Sequence, residues 1–259
     1  ALFCRQSRMG KSRKAAIKAT STCMSRQKIS RNGSWTAKVC SFRERDRQMK
    51  RCVIFGGGQI GDPEQIKNLV RQEDYLICAD SGYRHCVQLG FSPQLVLGDF
   101  DSYAGVVQSD CELLRYPIEK DDTDTMLAVK QALQRGYERL VLVGMLGGRL
   151  DHTLANIQTL VYAVEHGAAA QIIDSSCCIT VIKGGQTAQI PYQQGFHFSV
   201  FCHSDCASGV CIRHAKYELE AAQITNGFPI GVSNSFLEGQ PAQISVKQGI
   251  LVILSTGGD

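Results

Sequence analysis

A chain of 259 residues with 44% hydrophobic side chains can bury a substantial core, and its length points to two domains. No apolar run reaches the roughly 18 to 20 residues of a membrane span. No signal-peptide pattern is present, so the twelve scattered cysteines read as reduced thiols of a cytoplasmic protein.

The formal charge of +4 conceals two opposite parts. Residues 1–48 hold 13 Lys and Arg against Glu44 and Asp46, a formal +11, which leaves −7 for the remainder. This basic stretch has no sustained apolar period and reads as a disordered extension. An RNA-binding arm, an organelle transit peptide and residues translated from upstream of a start at Met49 are its three readings, and we take the last. No nucleic-acid or membrane partner is expected.

From Cys52 onward, short apolar runs alternate with helical patterns, the signature of βαβ units on a parallel sheet. "RCVIF" predicts a strand. "DPEQIKNLVRQ" predicts a helix with Asp62 as N-cap and Pro63 at the first helical position. "YLICAD" is a second strand, followed by a helix to about Leu89, and "PQLVLGDFD" is a third. Thr123 to Gln134 predicts a helix closed by Gly136, and "RLVLVGML" a further strand. In "DHTLANIQTLVYAVEHG", Leu154, Ile157, Leu160, Val161 and Val164 share one face, with Asp151 as N-cap and Gly167 as the stop.

Beyond about Asp174 the segments "CCITVIKGG", "TAQIPYQQG", "FHFSVFCH", "AQISVKQG" and "ILVILSTGG" alternate with Gly-rich turns. The expected fold is therefore an N-terminal parallel-sheet α/β domain over 49–174, followed by a smaller all-β sandwich or barrel over 175–259.

Ligands of open parallel sheets bind at the carboxyl ends of the strands. Asp80 ends "YLICAD", Asp99 and Asp101 end "LVLGDFD", and Asp151 follows "LVLVGMLGGRL". Asp121, Asp122 and Asp124 add three more acids in "KDDTDT". Any one of them could be a turn former or cap. As a set they repel: at about 5 Å and an effective dielectric near 20, each pair costs about 3 kcal/mol without a cation. Oxygen-only ligands favour Mg²⁺, which usually completes its shell with water and phosphate oxygens. In "GGRLDH", Gly147 and Gly148 permit close approach, Arg149 can fork two phosphate oxygens, and the following helix start favours an anion. The plainer alternative is a surface ion pair between Arg149 and Asp151. Together these features point to metal-assisted phosphoryl-type transfer.

Two other patterns carry less. Gly56, Gly58 and Gly61 formally fit a dinucleotide fingerprint, but Asp62-Pro63 starts the helix after the third glycine, so we read a phosphate-side loop. Cys202, His203, Cys206, Cys211 and His214 lack a paired C-x-x-C, which argues against zinc.

"CADSGYRHCVQLGFSPQLVLGDFDS", "KDDTDTMLAVKQAL", "LGGRLDHTLANI" and "GVSNSF", in this order, resemble the thiamine pyrophosphokinase (thiamine diphosphokinase) family of the bacterial type, from about Met49 to the end. The resemblance implies transfer of a pyrophosphoryl group from ATP to the hydroxyl of thiamine, with Mg²⁺ as cofactor and AMP as by-product. It also implies a homodimer with sites at the subunit interface. By motif, Asp80, Asp99 and Asp101 are implied metal ligands, with Asp101, Asp124, Arg149 and Asp151 in catalysis. Asp122, Thr123, Asp124, Arg149, Asp151, His152 and Asn156 would face the nucleotide, and Ser233, Asn234 and Phe236 the thiamine. Ser81 departs from the glycine many members carry. A pyrophosphokinase for another alcohol, such as a hydroxymethyl pterin, and a non-catalytic nucleotide-binding module are the competing readings.

Overall fold

The computed structural model describes residues 49–99, 111–117, 119 and 121–257. The expectations for residues 1–48 and for Asp101 lie outside these. Six strands are parallel: β1 (Arg51–Phe55), β2 (Tyr75–Ala79), β3 (Leu95–Gly98), β4 (Glu112–Arg115), β5 (Arg139–Val143) and β6 (Ala169–Ile173), in the order β6-β5-β1-β2-β3-β4. Their connections include α1 (Pro63–Leu69), α2 (Gly82–Gln88), α3 (Asp124–Gln134) and α4 (Leu150–Glu165). The chain continues through β7 (Cys177–Lys183), β8 (Thr187–Ile190), β9 (Phe196–Cys202), β10 (Cys206–Arg213), β11 (Leu219–Thr225), β12 (Gly231–Ser235), β13 (Ala242–Ser245) and β14 (Ile250–Gly257).

The parallel strands β1, β2, β3 and β5 read as apolar runs because both faces are covered. Side chains alternate along β1: Cys52 and Ile54 join the core under α3 and α4, while Val53 and Phe55 join the opposite core under α1 and α2. Leu140 and Leu142 against Val141 and Val143 repeat this division on β5. Each such fully buried side chain contributes about 1.5–3 kcal/mol.

The sheet does not stop at β6. β7 pairs antiparallel with β6, and β14, β9 and β12 follow, giving ten strands in one sheet. A second sheet, β11-β10-β13-β8, packs on its far half. Along β7, Ile179 and Val181 enter the core shared with α4, while Ile182 enters the core between the two sheets. Val252 of β14 enters the first core, and its neighbours Leu251 and Ile253 the second.

Several expected features hold. Asp62 accepts from the Glu64 and Gln65 amides at 3.0 and 3.2 Å, with Pro63 opening α1. Thr123 caps α3 through the Met126 amide at 3.1 Å. Gly136 and Gly167 follow α3 and α4 with positive φ.

Other features differ. α1 ends at Leu69, because Val70 is already extended. Arg149, not Asp151, occupies the N-cap of α4 and makes no side-chain capping bond. Leu154 is 55% exposed, so the buried face of α4 is carried by Leu160, Val161 and Val164. Five strands had no sequence expectation: β4, β6, β10, β11 and β12. β4 is an edge strand with exposed polar side chains and no apolar run. Register shifts interrupt the β10–β11 and β9–β12 ladders, which breaks the two-residue period.

Candidate active site

Strand order reverses between β1 and β5: β2, β3 and β4 extend to one side, β6 to the other. A crevice at the carboxyl ends of the strands is expected at this point. A cavity of about 670 Å³ lies there, walled by Gly56–Gly58 after β1, Asp80 and Ser81 after β2, Thr123–Thr125 at the start of α3, Gly144–Leu146 after β5, and the first turns of α4. Of the residues singled out from sequence, Asp80, Thr123, Asp124, Arg149, Asp151, His152 and Asn156 line this one space.

Asp80 is the most constrained of them. Its φ is +48°, an unusual value for a residue with a side chain, and its amide donates to the Leu97 carbonyl at 2.8 Å. Strand register places it opposite Gly98, where a β-carbon would lie 3.1 Å from the Asp80 Cα. The Asp80 Oδ1 is buried without a hydrogen-bond partner. A buried carboxylate oxygen left unpaired is costly, and a cation or a hydrogen-bond donor removes the cost. Asp99, half-buried, follows one residue after Gly98 on the neighbouring strand. Asp101 lies outside the described residues. Among the described residues, no three His, Cys, Asp or Glu side chains converge into a metal-holding group.

The acids of "KDDTDT" separate. Asp124 lines the cavity as the first residue of α3. Asp122 does not: Lys130 Nζ donates to its Oδ1 and Oδ2 at 2.8 and 2.7 Å.

In "GGRLDH", the ion pair seen as the plainer alternative is present. Arg149 Nε and Nη2 donate to Asp151 Oδ1 and Oδ2 at 3.1 and 2.5 Å. The two side chains are 76% and 60% exposed, so the pair adds little stability and costs little to open. The guanidinium beside Asp151 holds its carboxyl below the usual carboxylate range, and Asp151 in turn raises Arg149. Both sit at the start of α4, where unsatisfied amides favour an anion. Asn156, nearly buried, donates from Nδ2 to the Met145 carbonyl at 2.8 Å and so ties α4 to the loop after β5.

The glycine loop is less available to phosphate than its sequence suggests. The amides of Gly56, Gly58 and Gln59 donate to the carbonyls of Val143, Gly144 and Leu146. A β-carbon at Gly58 would lie 2.7 Å from both the Gly144 and Leu146 oxygens, so this glycine serves backbone-to-backbone approach. His85 Nε2 adds a 2.8 Å bond to the Gly58 carbonyl. Gly61 packs on Ser175 before α1 begins, outside any helix.

The segment "GVSNSF" is not part of this cavity's wall. The Asn234 amide group is committed: Oδ1 accepts from the Tyr217 and Ser235 amides, and Nδ2 donates to the Tyr217 carbonyl at 2.6 Å. Phe236 packs against Phe198 and edge-on to Tyr192. Ser233 is exposed, with φ of +57°. Sulfur atoms of the cysteine group meet separate partners: Cys202 Sγ donates to the Ser204 carbonyl, Cys206 Sγ accepts from Gln223, and Cys211 Sγ accepts from the Ala221 amide and donates to the Gly209 carbonyl.

Three wall residues not singled out as contacts are hydroxyls: Ser81, Thr125 and Thr153. Each adjoins or lies next to a selected residue, and that adjacency was the available signal.

Residues 66–172 match the family model for the thiamin pyrophosphokinase catalytic domain, and residues 187–251 match the model for the thiamin pyrophosphokinase vitamin B1 binding domain. The chain is 27% identical over 211 residues to a thiamine pyrophosphokinase of Bacillus subtilis, covering 80% of this chain and 98% of that protein. Among solved structures, a thiamine pyrophosphokinase from Bacillus subtilis superposes with a TM-score of 0.73 at 24% identity, covering 81% of this chain and all of that one. A thiamin pyrophosphokinase family protein from Enterococcus faecalis gives 0.67 at 28% identity, with 81% and 100% covered. The two family models together span most of the described residues, in the order catalytic then vitamin-binding, and the chain belongs to the thiamin pyrophosphokinase family.

Proposed function

We propose that the chain transfers the pyrophosphoryl group of ATP to the hydroxyl of thiamine, giving thiamine diphosphate and AMP, with Mg²⁺ as cofactor. The observation that carries this reading is that Asp80, Asp124, Arg149 and Asp151, drawn from three separate motifs, wall one cavity at the switch point of the sheet. The thiamine oxygen bonds to the β-phosphorus, the bond from that phosphorus to the α,β-bridging oxygen breaks, and AMP leaves with that oxygen. The hydroxyl proton passes to a carboxylate, Asp124 or Asp101.

Such a transfer depends on positioning and charge neutralisation. Arg149, freed from Asp151, forks two phosphate oxygens at the start of α4. Asp151 keeps the guanidinium oriented before the nucleotide arrives, with Asp122, Thr123, His152 and Asn156 supporting the nucleotide's surroundings directly or through neighbours. Asp80, with its unpaired buried oxygen, and Asp99 would hold Mg²⁺ together with Asp101. When bound, the ion neutralises charge on the phosphate oxygens.

Ser233 and Phe236 are proposed to meet thiamine, with Asn234 fixing their segment. Two features support a homodimer in which a second copy brings this segment to the cavity. Leu150 and Leu154 stand 73% and 55% exposed on α4 beside the cavity. Phe228, Ile230 and Val232 are exposed at and before the edge strand β12. Both substrates are small polar molecules of the cytoplasm, where we place the reaction. No helix among the described residues is long and apolar enough to cross a membrane.

The test is product analysis with the full chain. AMP and thiamine diphosphate should appear in equal amounts, only when ATP, thiamine and Mg²⁺ are all present. ADP release without thiamine, or full activity in the double variant Asp101→Asn with Asp124→Asn, would overturn the assignment.

A further inference from the structure

Lys130 lies within the "KDDTDTMLAVKQAL" motif but has no role assigned to it in the reaction, and it is not part of the cavity wall. It nevertheless holds both carboxylate oxygens of Asp122, which is one residue before the N-cap of α3. Lys130 is the seventh residue of that helix, about 9 Å along its axis from the first. The Lys130 side chain therefore reaches back along the helix and ties down the segment entering α3. The same ammonium lies 5.7 Å from the centre of the Tyr162 ring on α4, within reach of a cation–π attraction. One cation thus links the approach to α3 with α4, and both helices supply cavity walls: Thr123–Thr125 from the first, Arg149 to Asn156 from the second.

We propose that Lys130 is a positioning residue for pyrophosphoryl transfer: it draws Asp122 out of the cavity and thereby sets Thr123 and Asp124 at its wall. The inference rests on the functional reading above. It gives Asp122 a different task from its neighbours. Of the two acids, Asp124 faces the reactants and Asp122 is the anchor, with its charge neutralised outside the cavity.

The experiment is a double-substitution cycle in the full chain, measured with ATP, thiamine and Mg²⁺. Lys130→Met should lower kcat/KM for ATP about tenfold, because small displacements of positioned groups are costly. Asp122→Asn should lose about the same amount, and the double variant no more than either, as two residues acting through one contact require. Lys130→Arg should restore the rate to within about threefold, since it keeps the charge. The Mg²⁺ concentration for half-maximal rate should be unchanged in Asp122→Asn.

Wild-type kcat/KM in Lys130→Met overturns the proposal. So do losses that multiply in the double variant, or a raised Mg²⁺ requirement in Asp122→Asn, because Asp122 would then act directly. If Lys130→Met does not fold, Asp122→Asn and Lys130→Arg carry the same comparison. Product analysis separates the two levels: thiamine-dependent AMP formation beside an unimpaired Lys130→Met removes this inference alone, whereas ADP release without thiamine removes the functional reading itself.

Discussion

Gly98 faces Asp80 across adjacent parallel strands, so closely that a β-carbon on the glycine would come within 3.3 Å of both the Cα and Cβ of the aspartate. Gly98 itself has φ of +150°. Gly98→Ala should therefore strain its own backbone by about 1–3 kcal/mol and displace Asp80 as well. The expected outcome is a folded protein with a lower thermal midpoint whose activity falls further than its stability explains. Near-normal kcat with the same lowered midpoint would show that Asp80 tolerates displacement.

Asp80→Asn removes charge while keeping shape. Its buried Oδ1 has no hydrogen-bond partner, so the neutral amide should not destabilise the fold and should weaken Mg²⁺ binding. A titration of rate against Mg²⁺ checks this, and the expected result is a requirement raised about tenfold or more, as for loss of a charged ligand. An unchanged titration would remove Asp80 from the metal set.

The Arg149–Asp151 pair makes a statement about pH. Because Arg149 lowers the folded-state pKa of Asp151, the contribution of the pair is present above the unfolded value, about 3.9, and is lost as pH falls through the lower folded value. Asp151 should stay ionised across mildly acid pH. Carboxyl-carbon NMR of Asp151 should show its midpoint below 3.9, moving up in Arg149→Met. A midpoint at or above 3.9 in the unsubstituted chain would contradict the pairing.

At the opposite end of the sheet, Arg51 and Asp74 form a buried pair, Nε to Oδ1 at 3.5 Å, with side chains 4% and 0% exposed. Arg51 Nη2 also donates to the Leu69 carbonyl, and the Arg71 amide donates to Asp74 Oδ2, each at 2.7 Å. Burial brings the Arg51 guanidinium down to about 10, so desolvation outweighs the attraction of Asp74. Asp74→Ala should cost about 3–5 kcal/mol by leaving a buried cation alone, while Arg51→Met with Asp74→Leu should be near neutral. Urea unfolding of both variants decides it; a mild Asp74→Ala would mean that water reaches Arg51.

Much of the catalytic half was legible because its signals are local. Apolar runs, two of them ending in Asp, give four of the six parallel strands, and Asp62-Pro63 and Thr123 mark helix starts through short-range capping. The cavity residues were legible for a related reason: an open parallel sheet gathers its strand ends whatever the loops do. What escaped depends on distant partners. Asp122 and Asp124 look equivalent in "KDDTDT", and only the position of Lys130 two helical turns on sends one outward. Asn234 looks like a ligand-facing amide until Tyr217 takes both its arms. β10, β11 and β12 escaped because bulges erase the period that would reveal them.

β7 and β14 sit between two cores and give alternate side chains to each. A cut near residue 174, where sequence texture changes, would strip Ile179, Val181 and Val252 from under α4 and leave the edge of β6 without its antiparallel neighbour. Neither piece would be a self-sufficient module. Shuffling the vitamin-recognition part between relatives would therefore require the β6–β7 seam to be carried over intact, so specificity in this architecture should diversify through loops far more readily than through exchange of whole segments.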